Sequence, residues 1–416
     1  MQLDVGRGEM VMVGFAADLL RSLGEQLSPG SVVVVEEPDL IQRRDLARHR
    51  LPVISRLVAA EYQTGLDPVA LLAREPGLAA ARLVVPGQEH GVVGAARLAD
   101  ALGLPGAGTH AAEIFTDKHR LRLLAASAGL LNPAFALVAT AAEAEAFARR
   151  QGGRCVLKPT RRSGSLGVQI IADPTLVAAA WAASAAPETG PDTTSRGVPT
   201  AVLAEEVLIG SEHSVELLVV EGEVRFGNVT DKRVLAGGHP VETGHTVPSA
   251  LPEQARRELL DAATRLARAA EFHTGTLHSE WIRTAAGPAL VECAARLPGD
   301  LITALISVAY ECAFVPAYLR GLRGERPTLP ARPTGAAAVE FLLAAPGTVG
   351  AVDGVRAARR VPGVLDVEVG VAVGDAVAEI TSSLRRSGHV LAWGADPADA
   401  TDAAGRAAGQ VRITTG

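Results

Sequence analysis

Two glutamates in neighbouring strand-like segments constrain this 416-residue chain more than any other feature. Glu280 lies in His-Ser-Glu-Trp-Ile, and Glu292 lies in Leu-Val-Glu-Cys-Ala. A hairpin centred on Ala286 places Glu280 directly opposite Glu292, with Ile282 opposite Leu290 on the same face. Carboxylates in that position repel each other unless a positive group lies between them. The pattern therefore predicts a site for a hard cation such as Mg²⁺, and the alternative is a surface hairpin with two solvated acids.

Composition predicts a globular protein with several cores. The chain is 48% hydrophobic and long enough for about two to four domains. A net charge of −6 and an aromatic content of 3% argue against a nucleic-acid partner. The three cysteines lack metal-ligand spacing, so we expect small buried hydrophobes. No N-terminal signal is visible and no apolar run approaches ~20 residues, so we expect no membrane partner and a cytoplasmic location.

Strand-like and helical segments alternate near the N-terminus. Strand patterns cover residues 10–15, 31–36 and 82–85, and helical patterns cover residues 18–26 and 92–102. Such alternation predicts an open, Rossmann-like parallel sheet. Ligands of such sheets bind beyond the carboxyl ends of the strands, where Gln88 and Glu89 fall. After this region, Thr116 is expected to cap a helix over residues 117–128.

A loop rich in glycine and serine follows the strand that ends in Lys158. Its polar and small residues are Ser163, Gly164, Ser165 and Gly167. Glycines at this spacing allow consecutive backbone N–H groups to point inward and grip an anion. The lysine precedes the glycines, so this is not a P-loop of the Walker type. The alternative is a flexible turn of a hairpin.

The next strand-like segments carry several acids. Glu205 and Glu206 end one strand and Leu208 follows, and Glu212 and Glu216 share one face of the alternating strand after it. This pattern predicts a cleft wall with inward carboxylates. Because unpaired acids are costly inside a sheet, the alternative is that Glu212 and Glu216 face solvent.

The order of these parts resembles the ATP-grasp superfamily of carboxylate–amine and carboxylate–thiol ligases. The matching parts, in chain order, are Lys118, Lys158 with its loop, Glu205-Glu206-x-Leu208 with Glu212, and Glu280 with Glu292-x-x-x-Arg296. Within the superfamily, two segments look most like the L-amino acid ligases, the dipeptide-forming enzymes of the bacilysin-synthetase type. They are Glu242-Thr-Gly-His245-Thr-Val-Pro248 and Arg296-x-x-Gly299-Asp300.

The resemblance implies a fold of the α/β and α+β classes in four parts. The implied domains are an N-terminal Rossmann-like domain over residues 1–113, a small ATP-grasp lobe with a glycine-rich lid loop over 114–200, a large lobe with the metal and phosphate site over 201–328, and a small β-rich C-terminal domain over 329–416. A homodimer is also expected.

The resemblance assigns the nucleotide site to two lysines, the loop and the acids of the second lobe. Lys118 and Lys158 are expected to neutralise the ATP phosphates. The loop residues would close over the phosphates as a lid, and these are Ser163, Gly164, Ser165 and Gly167. Glu205 and Leu208 would present backbone groups to the adenine edge, Glu206 would lie beside them, and Glu212 would accept from the ribose hydroxyls.

The resemblance also assigns the metal and the chemistry. Glu280 and Glu292 are expected to hold Mg²⁺, with Mn²⁺ as a possible substitute. Arg296 would stabilise the transferring phosphoryl group and the oxyanion. His245 would orient the acyl carbonyl or accept the amine's proton, and its alternative is a turn histidine bonded to backbone. Ala294 stands where many relatives have asparagine, which leaves fewer ligands for a second Mg²⁺.

The implied activity joins a small carboxylate to an amine. An acyl phosphate would form from ATP, and an amine would then displace phosphate, leaving ADP and phosphate as products. The substrates would be an amino acid or small carboxylic acid and a second amino acid. Asp300 stands where some dipeptide ligases carry a bulky residue, so substrate preference stays open. Two alternatives are a bicarbonate-using enzyme, biotin-carboxylase-like or purine-biosynthetic, and a non-catalytic nucleotide-binding protein.

Overall fold

The computed structural model describes residues 5–49, 51–187, 195, 198, 200–235 and 239–416. Parts of three predicted domains lie outside the described residues: 1–4 and 50 in the first, 188–194, 196, 197 and 199 in the second, and 236–238 in the third. Short 3₁₀ turns supplement the helices given below, and they cover Leu46–Arg48, Pro76–Ala80, Glu89–Gly91, Pro174–Leu176 and Ser383–Arg385.

A parallel sheet forms the N-terminal part of the chain, as predicted. Its strands are β1 (Met10–Val13), β2 (Val32–Glu36), β3 (Ile54–Ala59) and β4 (Leu83–Pro86), in the order β3-β2-β1-β4. The helices of this part are α1 (Ala17–Gly24), α2 (Pro38–Arg43), α3 (Pro68–Arg74) and α4 (Val92–Leu102). Strands β1 and β2 are buried along their whole length because both faces of a parallel sheet are covered. The sequence missed β3, an edge strand that is only partly buried and contains the exposed Arg56.

Two helices, α5 (Thr109–Phe115) and α6 (Lys118–Ser127), lead into the second part. The N-cap of α6 is Asp117 and not Thr116 as predicted. The Asp117 carboxylate accepts hydrogen bonds from the backbone N–H groups of His119 and Arg120 at 3.0 and 3.2 Å. Asp117 has the extended conformation of an N-cap residue, and this geometry places Lys118 at the first position of the helix.

A small antiparallel sheet carries the glycine-rich loop. Its strands are β5 (Phe135–Val138), β6 (Cys155–Pro159), β7 (Gln169–Ile171) and β8 (Val202–Glu205), in the order β5-β8-β6-β7, and its helices are α7 (Ala141–Arg150) and α8 (Val177–Ala185). The loop of residues 160–168 joins β6 to β7. The sheet therefore places Lys158 at the end of β6 and Glu205 at the end of the adjacent strand β8.

The large sheet begins with β9 (Ser211–Val220), β10 (Glu223–Val234), β11 (Glu242–Val247), β12 (Gly275–Thr284) and β13 (Gly287–Ala294), with helices α9 (Glu253–Ala269), α10 (Ile302–Ala309) and α11 (Phe314–Leu322). The β12–β13 hairpin pairs Glu280 with Glu292, as predicted. An irregularity after Glu280 shifts the register, so Ile282 lies opposite Ala289 and not opposite Leu290. A bulge of this kind adds one residue to one strand and leaves no clear mark in the sequence.

The C-terminal part continues the large sheet. Its elements are β14 (Ala336–Leu342), β15 (Gly347–Asp353), α12 (Val355–Ala358), β16 (Val364–Val369), β17 (Ala376–Val377), β18 (Gly388–Gly394), α13 (Pro397–Ala408) and β19 (Arg412–Thr415). The large sheet has the order β13-β12-β9-β10-β11-β14-β18-β16, and β17, β15 and β19 form a separate sheet. Hydrogen bonding between β11 and β14 therefore crosses the domain boundary predicted at residue 329.

The described residues contain no single helix that is long and apolar enough to cross a membrane. Helices α10 and α11 pass that test only as a pair, with a bend of 107° between them.

Candidate active site

One cleft brings together nearly every residue that the sequence singled out. It encloses about 260 Å³ between the loop of residues 160–168 and the large sheet. The predicted residues that line it are Lys118, Lys158, Ser163, Gly164, Ser165, Glu205, Glu206, Leu208, Glu212, His245, Glu280, Glu292 and Arg296. Gly167 lies in the same loop but does not line the cleft. The structure therefore assembles the predicted set from both antiparallel sheets.

The loop over the cleft has backbone conformations that favour glycine. Gly164 and Gly167 have positive φ angles of +66° and +76°, and a Cβ on Gly167 would lie 2.9 Å from a side-chain carbon of Pro159. Ser165 also has a positive φ, +60°, and its hydroxyl donates to the carbonyl of Pro240 at 2.8 Å. The loop thus contacts the opposite wall of the cleft through Ser165.

A sealed cluster of three charged side chains closes one end of the cleft. It consists of Arg122, Lys158 and Glu205, whose side chains are 1%, 5% and 5% exposed. The Glu205 carboxylate accepts from Arg122 at 2.7 and 3.2 Å and lies 2.8 Å from Nζ of Lys158. Burial alone would raise the pKa of Glu205, but Arg122 and Lys158 hold it below its usual value, whereas burial lowers the pKa of Lys158.

The sequence analysis missed Arg122. It lies on the buried side of α6 together with Leu121 and Ala125. Its position one turn after Lys118, on the face that also carries Leu121 and Ala125, was the available signal, since arginine is almost never fully buried without a partner. Its guanidinium also donates to the carbonyl of Val291 at 2.6 Å, which ties α6 to the β12–β13 hairpin.

Apolar side chains and the backbone that follows strand β8 lie beside the sealed cluster. Glu206 is exposed, and its backbone N–H and carboxylate both pair with the backbone of Ala134, at 2.8 and 3.1 Å. Leu208 lines the cleft, and the other large aliphatic side chains there are Val156, Leu166, Val168, Ile170, Val207, Ile282, Val291 and Ile302. Apolar walls with a few polar backbone groups are typical of a site for a flat organic ring.

An open cluster lies at the centre of the cleft around Lys232. The Nζ of Lys232 lies 2.7 Å from Glu280, 2.8 Å from Glu212 and 3.3 Å from Glu242. Burial alone would lower the pKa of this lysine, but the three carboxylates raise it well above its usual value. The three acids keep 14–24% of their side-chain surface exposed to the cleft. Lys232 was given no role from the sequence.

Positive groups flank both hairpin glutamates, as the sequence argument required. Lys118 lies 2.9 Å from Glu292, and His278 lies 3.5 Å from Glu280. His278 also contacts the fully buried Glu216 at 3.0 Å. Burial alone would lower the pKa of His278, but the hydrogen bonds to Glu216 and Glu280 raise it to about 9. Glu216 also accepts hydrogen bonds from Ser214, Asn228 and Thr230. Both oxygens of its buried, inward-facing carboxylate therefore have hydrogen-bond partners.

Oxygen donors suited to a hard cation face the cleft at Glu280 and Glu292. These carboxylates lie opposite each other on adjacent strands and offer no nitrogen or sulfur ligand. This donor set fits Mg²⁺, which is usually held by one or two carboxylates and by the phosphates of a substrate. Ala294 lines the same wall and supplies only a methyl group, so it adds no ligand.

Arg296 and His245 also line the cleft, and each contacts an acid. The Arg296 Nε donates to Glu89 at 2.8 Å, which brings the carboxyl end of β4 to the site. His245 lies in strand β11 and not in a turn, and its side chain is 1% exposed. Its Nε2 lies 3.3 Å from Oδ2 of Asp300. The ring nitrogen therefore contacts a carboxylate instead of backbone.

Two domain families match this chain. Residues 152–304 match the ATP-grasp domain, and residues 340–416 match the L-amino acid ligase C-terminal domain 2. The first match includes the sealed cluster's lysine and acid and both hairpin glutamates. The second match covers most of the C-terminal part that continues the large sheet.

Two related sequences and one solved structure are similar to this chain. The uncharacterized protein y4rH of Sinorhizobium fredii is 27% identical over 70% of this chain and 59% of its own length. The alanine–anticapsin ligase of Bacillus subtilis is 29% identical over 49% of this chain and 46% of its own length. The chain thus spans about half the length of these two relatives. The crystal structure of an L-amino acid ligase from Bacillus licheniformis shares the fold, with a TM-score of 0.78 and 18% identity over 99% of this chain and 100% of that one.

Proposed function

We propose that this chain, an ATP-grasp protein with an L-amino acid ligase C-terminal domain, is an ATP-dependent carboxylate–amine ligase. Its products would be an amide or a peptide, ADP and phosphate. The observation that carries the proposal is the cleft itself, where Lys118, Lys158, Lys232 and Arg296 face the carboxylates of Glu280 and Glu292 beneath one loop. Phosphoryl transfer depends mainly on positioning and charge neutralisation, which such a set supplies.

The nucleotide lies, in this proposal, between the loop and the large sheet. Lys118 and Lys158 neutralise phosphate charge, and the loop residues Ser163, Gly164, Ser165 and Gly167 cover the phosphates and exclude water. The backbone of Glu205 and Leu208 meets the adenine edge beside Glu206, and the aliphatic walls of the cleft hold the ring. The Glu212 carboxylate accepts from the ribose hydroxyls. Lys232 joins this set because its Nζ lies 2.8 Å from Glu212.

Glu280 and Glu292 would hold Mg²⁺, which supplies charge neutralisation for the phosphates. Arg296 binds the oxygens of the transferring phosphoryl group and then the oxyanion, because its guanidinium is always charged and forked. Glu89 orients that guanidinium through the 2.8 Å hydrogen bond. His245 orients the acyl carbonyl or accepts a proton from the amine.

The reaction proceeds through an acyl phosphate. A carboxylate oxygen of the first substrate attacks the γ-phosphorus of ATP, and ADP leaves with the electron pair of the broken P–O bond. The amine of the second substrate attacks the acyl carbon, and phosphate leaves from the tetrahedral oxyanion. The C-terminal domain favours an amino acid as the acceptor over a bicarbonate reaction, because residues 340–416 match a domain of the L-amino acid ligases.

Product analysis against pairs of substrates tests this proposal. The purified chain with Mg²⁺ and ATP should release ADP and phosphate only when an amino acid or small carboxylate and an amine are both present. Stoichiometric AMP would contradict the acyl-phosphate route, because an adenylating enzyme leaves AMP and pyrophosphate. Turnover that requires bicarbonate and no amino acid would support the alternative enzyme class.

A further inference from the structure

The C-terminal part of the chain contributes a second arginine close to the cleft. Arg386 follows the 3₁₀ turn Ser383–Arg385. Its Nη1 donates to Oδ2 of Asp300 at 3.1 Å and its Nη2 donates to Oδ1, so the contact is two-pronged. The guanidinium carbon lies 3.6 Å from the ring centroid of Phe341, and Nε donates to the carbonyl of Ser383 at 2.8 Å. These contacts hold Arg386 in one orientation.

Asp300 presents the same carboxylate to His245. Its Oδ2 lies 3.3 Å from Nε2 of the histidine, and the imidazole meets the Phe341 ring edge-to-face at 5.8 Å. Asp300 and Leu301 both have positive φ angles, +53° and +61°. Non-glycine residues rarely adopt this conformation unless the surrounding structure holds them there. The strained pair of residues thus aims the Asp300 carboxylate between His245 and Arg386.

The contacts of Asp300 determine which nitrogen of His245 carries a proton. Burial alone would raise the pKa of Asp300, but His245 and Arg386 hold it well below its usual range. An ionised carboxylate can only accept hydrogen bonds. Nε2 of neutral His245 must therefore carry the hydrogen, and Nδ1 keeps its lone pair. Among the residues that the structure describes, Nδ1 is buried without a hydrogen-bond partner.

We propose that Asp300 and Arg386 form a positioning pair that fixes the ring and the tautomer of His245 for amide formation. This inference rests on the proposed function. In that step the amine nitrogen forms the C–N bond to the acyl carbon, and one N–H proton passes to Nδ1 of His245. The C–O bond to phosphate breaks, and its electron pair leaves on phosphate. Asp300 holds the imidazole, and Arg386 holds Asp300 from the C-terminal part.

The competing role for Asp300 is direct binding of a positive group on the substrate. The two roles differ in which kinetic constant they affect, because a positioning residue acts on turnover and a binding residue acts on KM. They also differ in the step affected. Hydroxylamine can trap the acyl phosphate without the amine substrate, so trapping reports phosphoryl transfer alone.

The variant Asp300→Asn separates these roles. We expect the kcat of ligation to fall by about 10²- to 10⁴-fold, the upper value being the scale of losing the carboxylate that orients a catalytic histidine, with the KM of the carboxylate substrate changed by less than about threefold. Hydroxylamine trapping should stay near the wild-type rate. Arg386→Ala should show the same pattern with a smaller loss, and Arg386→Lys should recover part of it because the charge remains without the fork. The exposed neighbour supplies the control Arg385→Ala, which should behave as wild type.

Long-range ¹H–¹⁵N spectra of protein labelled at histidine give a readout that needs no turnover. The ring of His245 should show the Nε2–H tautomer in the wild type and lose that preference in Asp300→Asn. A wild-type ring in the Nδ1–H tautomer would overturn the inference, as would a raised KM with parallel loss of trapping. A wild-type protein that neither traps nor ligates would overturn the proposed function, and the ring tautomer would still decide the positioning pair.

Discussion

The sealed cluster and the open cluster both consist of basic and acidic side chains in ion pairs, but they differ in charge balance and in exposure. In the sealed cluster, two cations, Arg122 and Lys158, surround one acid, and every side chain is at most 5% exposed. In the open cluster, one cation, Lys232, is surrounded by three acids that keep 14–24% of their surface exposed. The side chains of the first are almost completely buried, although Lys158 and Glu205 border the cleft. In the second, the acids face the cleft.

The difference shows which charges can change partners. Removing one member of a fully buried pair leaves an uncompensated charge, so the sealed cluster is expected to hold its geometry during the reaction. The acids of the open cluster can meet a ligand without exposing the lysine. Excess negative charge at the open cluster suits a cation, and Lys118 and Arg296 nearby suit its phosphates. We infer that the sealed cluster anchors Lys158 and that the acids of the open cluster meet the ligand.

The largest effect on activity should follow from substituting Glu292, the hairpin glutamate beside the open cluster. Glu292→Gln removes half of the proposed carboxylate pair, so ligation and ADP release should be abolished while the fold remains intact. The exposed Glu253, at the start of α9, supplies the matched control Glu253→Gln, which should keep full activity. Full activity of Glu292→Gln with Mg²⁺ would contradict the metal-pair assignment.

The next effect concerns Arg296, which lines the cleft. Arg296→Ala should reduce kcat by about 10²-fold or more, the scale of losing one oxyanion donor. Glu89→Gln should cause a smaller loss, because it removes only the acid that orients the guanidinium at 2.8 Å. Steady-state kinetics of both variants test this order. An equal loss in both variants would mean that the ion pair, and not Arg296 alone, is the functional unit.

Measurements of stability and of nucleotide binding should distinguish the roles of the two clusters. Glu205→Gln leaves two buried cations with one acid fewer, so the free energy of unfolding should fall by about 3–5 kcal/mol. Glu212→Gln should cost less than about 1 kcal/mol, because Lys232 keeps Glu242 and Glu280, but it should raise the KM of ATP by about tenfold. Urea unfolding and ATP titration measure both quantities.

The exposed neighbour Glu206 supplies the control for that pair, and Glu206→Gln should leave the urea midpoint near the wild-type value. Equal stability losses in Glu205→Gln and Glu212→Gln would show that the sealed and open clusters do not differ as their exposure implies.

Sequence reasoning predicted the local parts of this site and missed their remote partners. Glu280 and Glu292 were found because a short turn fixes their pairing, and the glycine-rich loop because its residues are consecutive. Arg122 lies 83 residues from Glu205, and Glu89 lies 207 residues from Arg296. No local pattern links such pairs, because the fold alone brings them together.

The fold, like the site, could be predicted only in part from the sequence. Three parallel strands were found because they are continuous apolar segments, and the edge strand β3 was missed because only one of its residues, Val58, is fully buried. The pairing of β11 with β14 joins the C-terminal part to the large sheet. That pairing could not be read from the chain, since strand order depends on contacts between segments and not on composition.

The smallest expected effect is the pH dependence that Glu205 of the sealed cluster contributes to stability. The folded pKa of Glu205 is lowered from its usual value of 4.5, so its ionised form stabilises the fold above that value. This contribution is lost as the pH falls below 4.5 toward the lowered pKa. Glu205→Gln lacks it, so the difference in unfolding free energy between wild type and variant should be largest near neutral pH and shrink toward about pH 4. Urea midpoints measured across that range test the sign. A difference that stays constant with pH would show that the loss in the variant comes from packing, and the contrast between the two clusters would then rest on exposure alone.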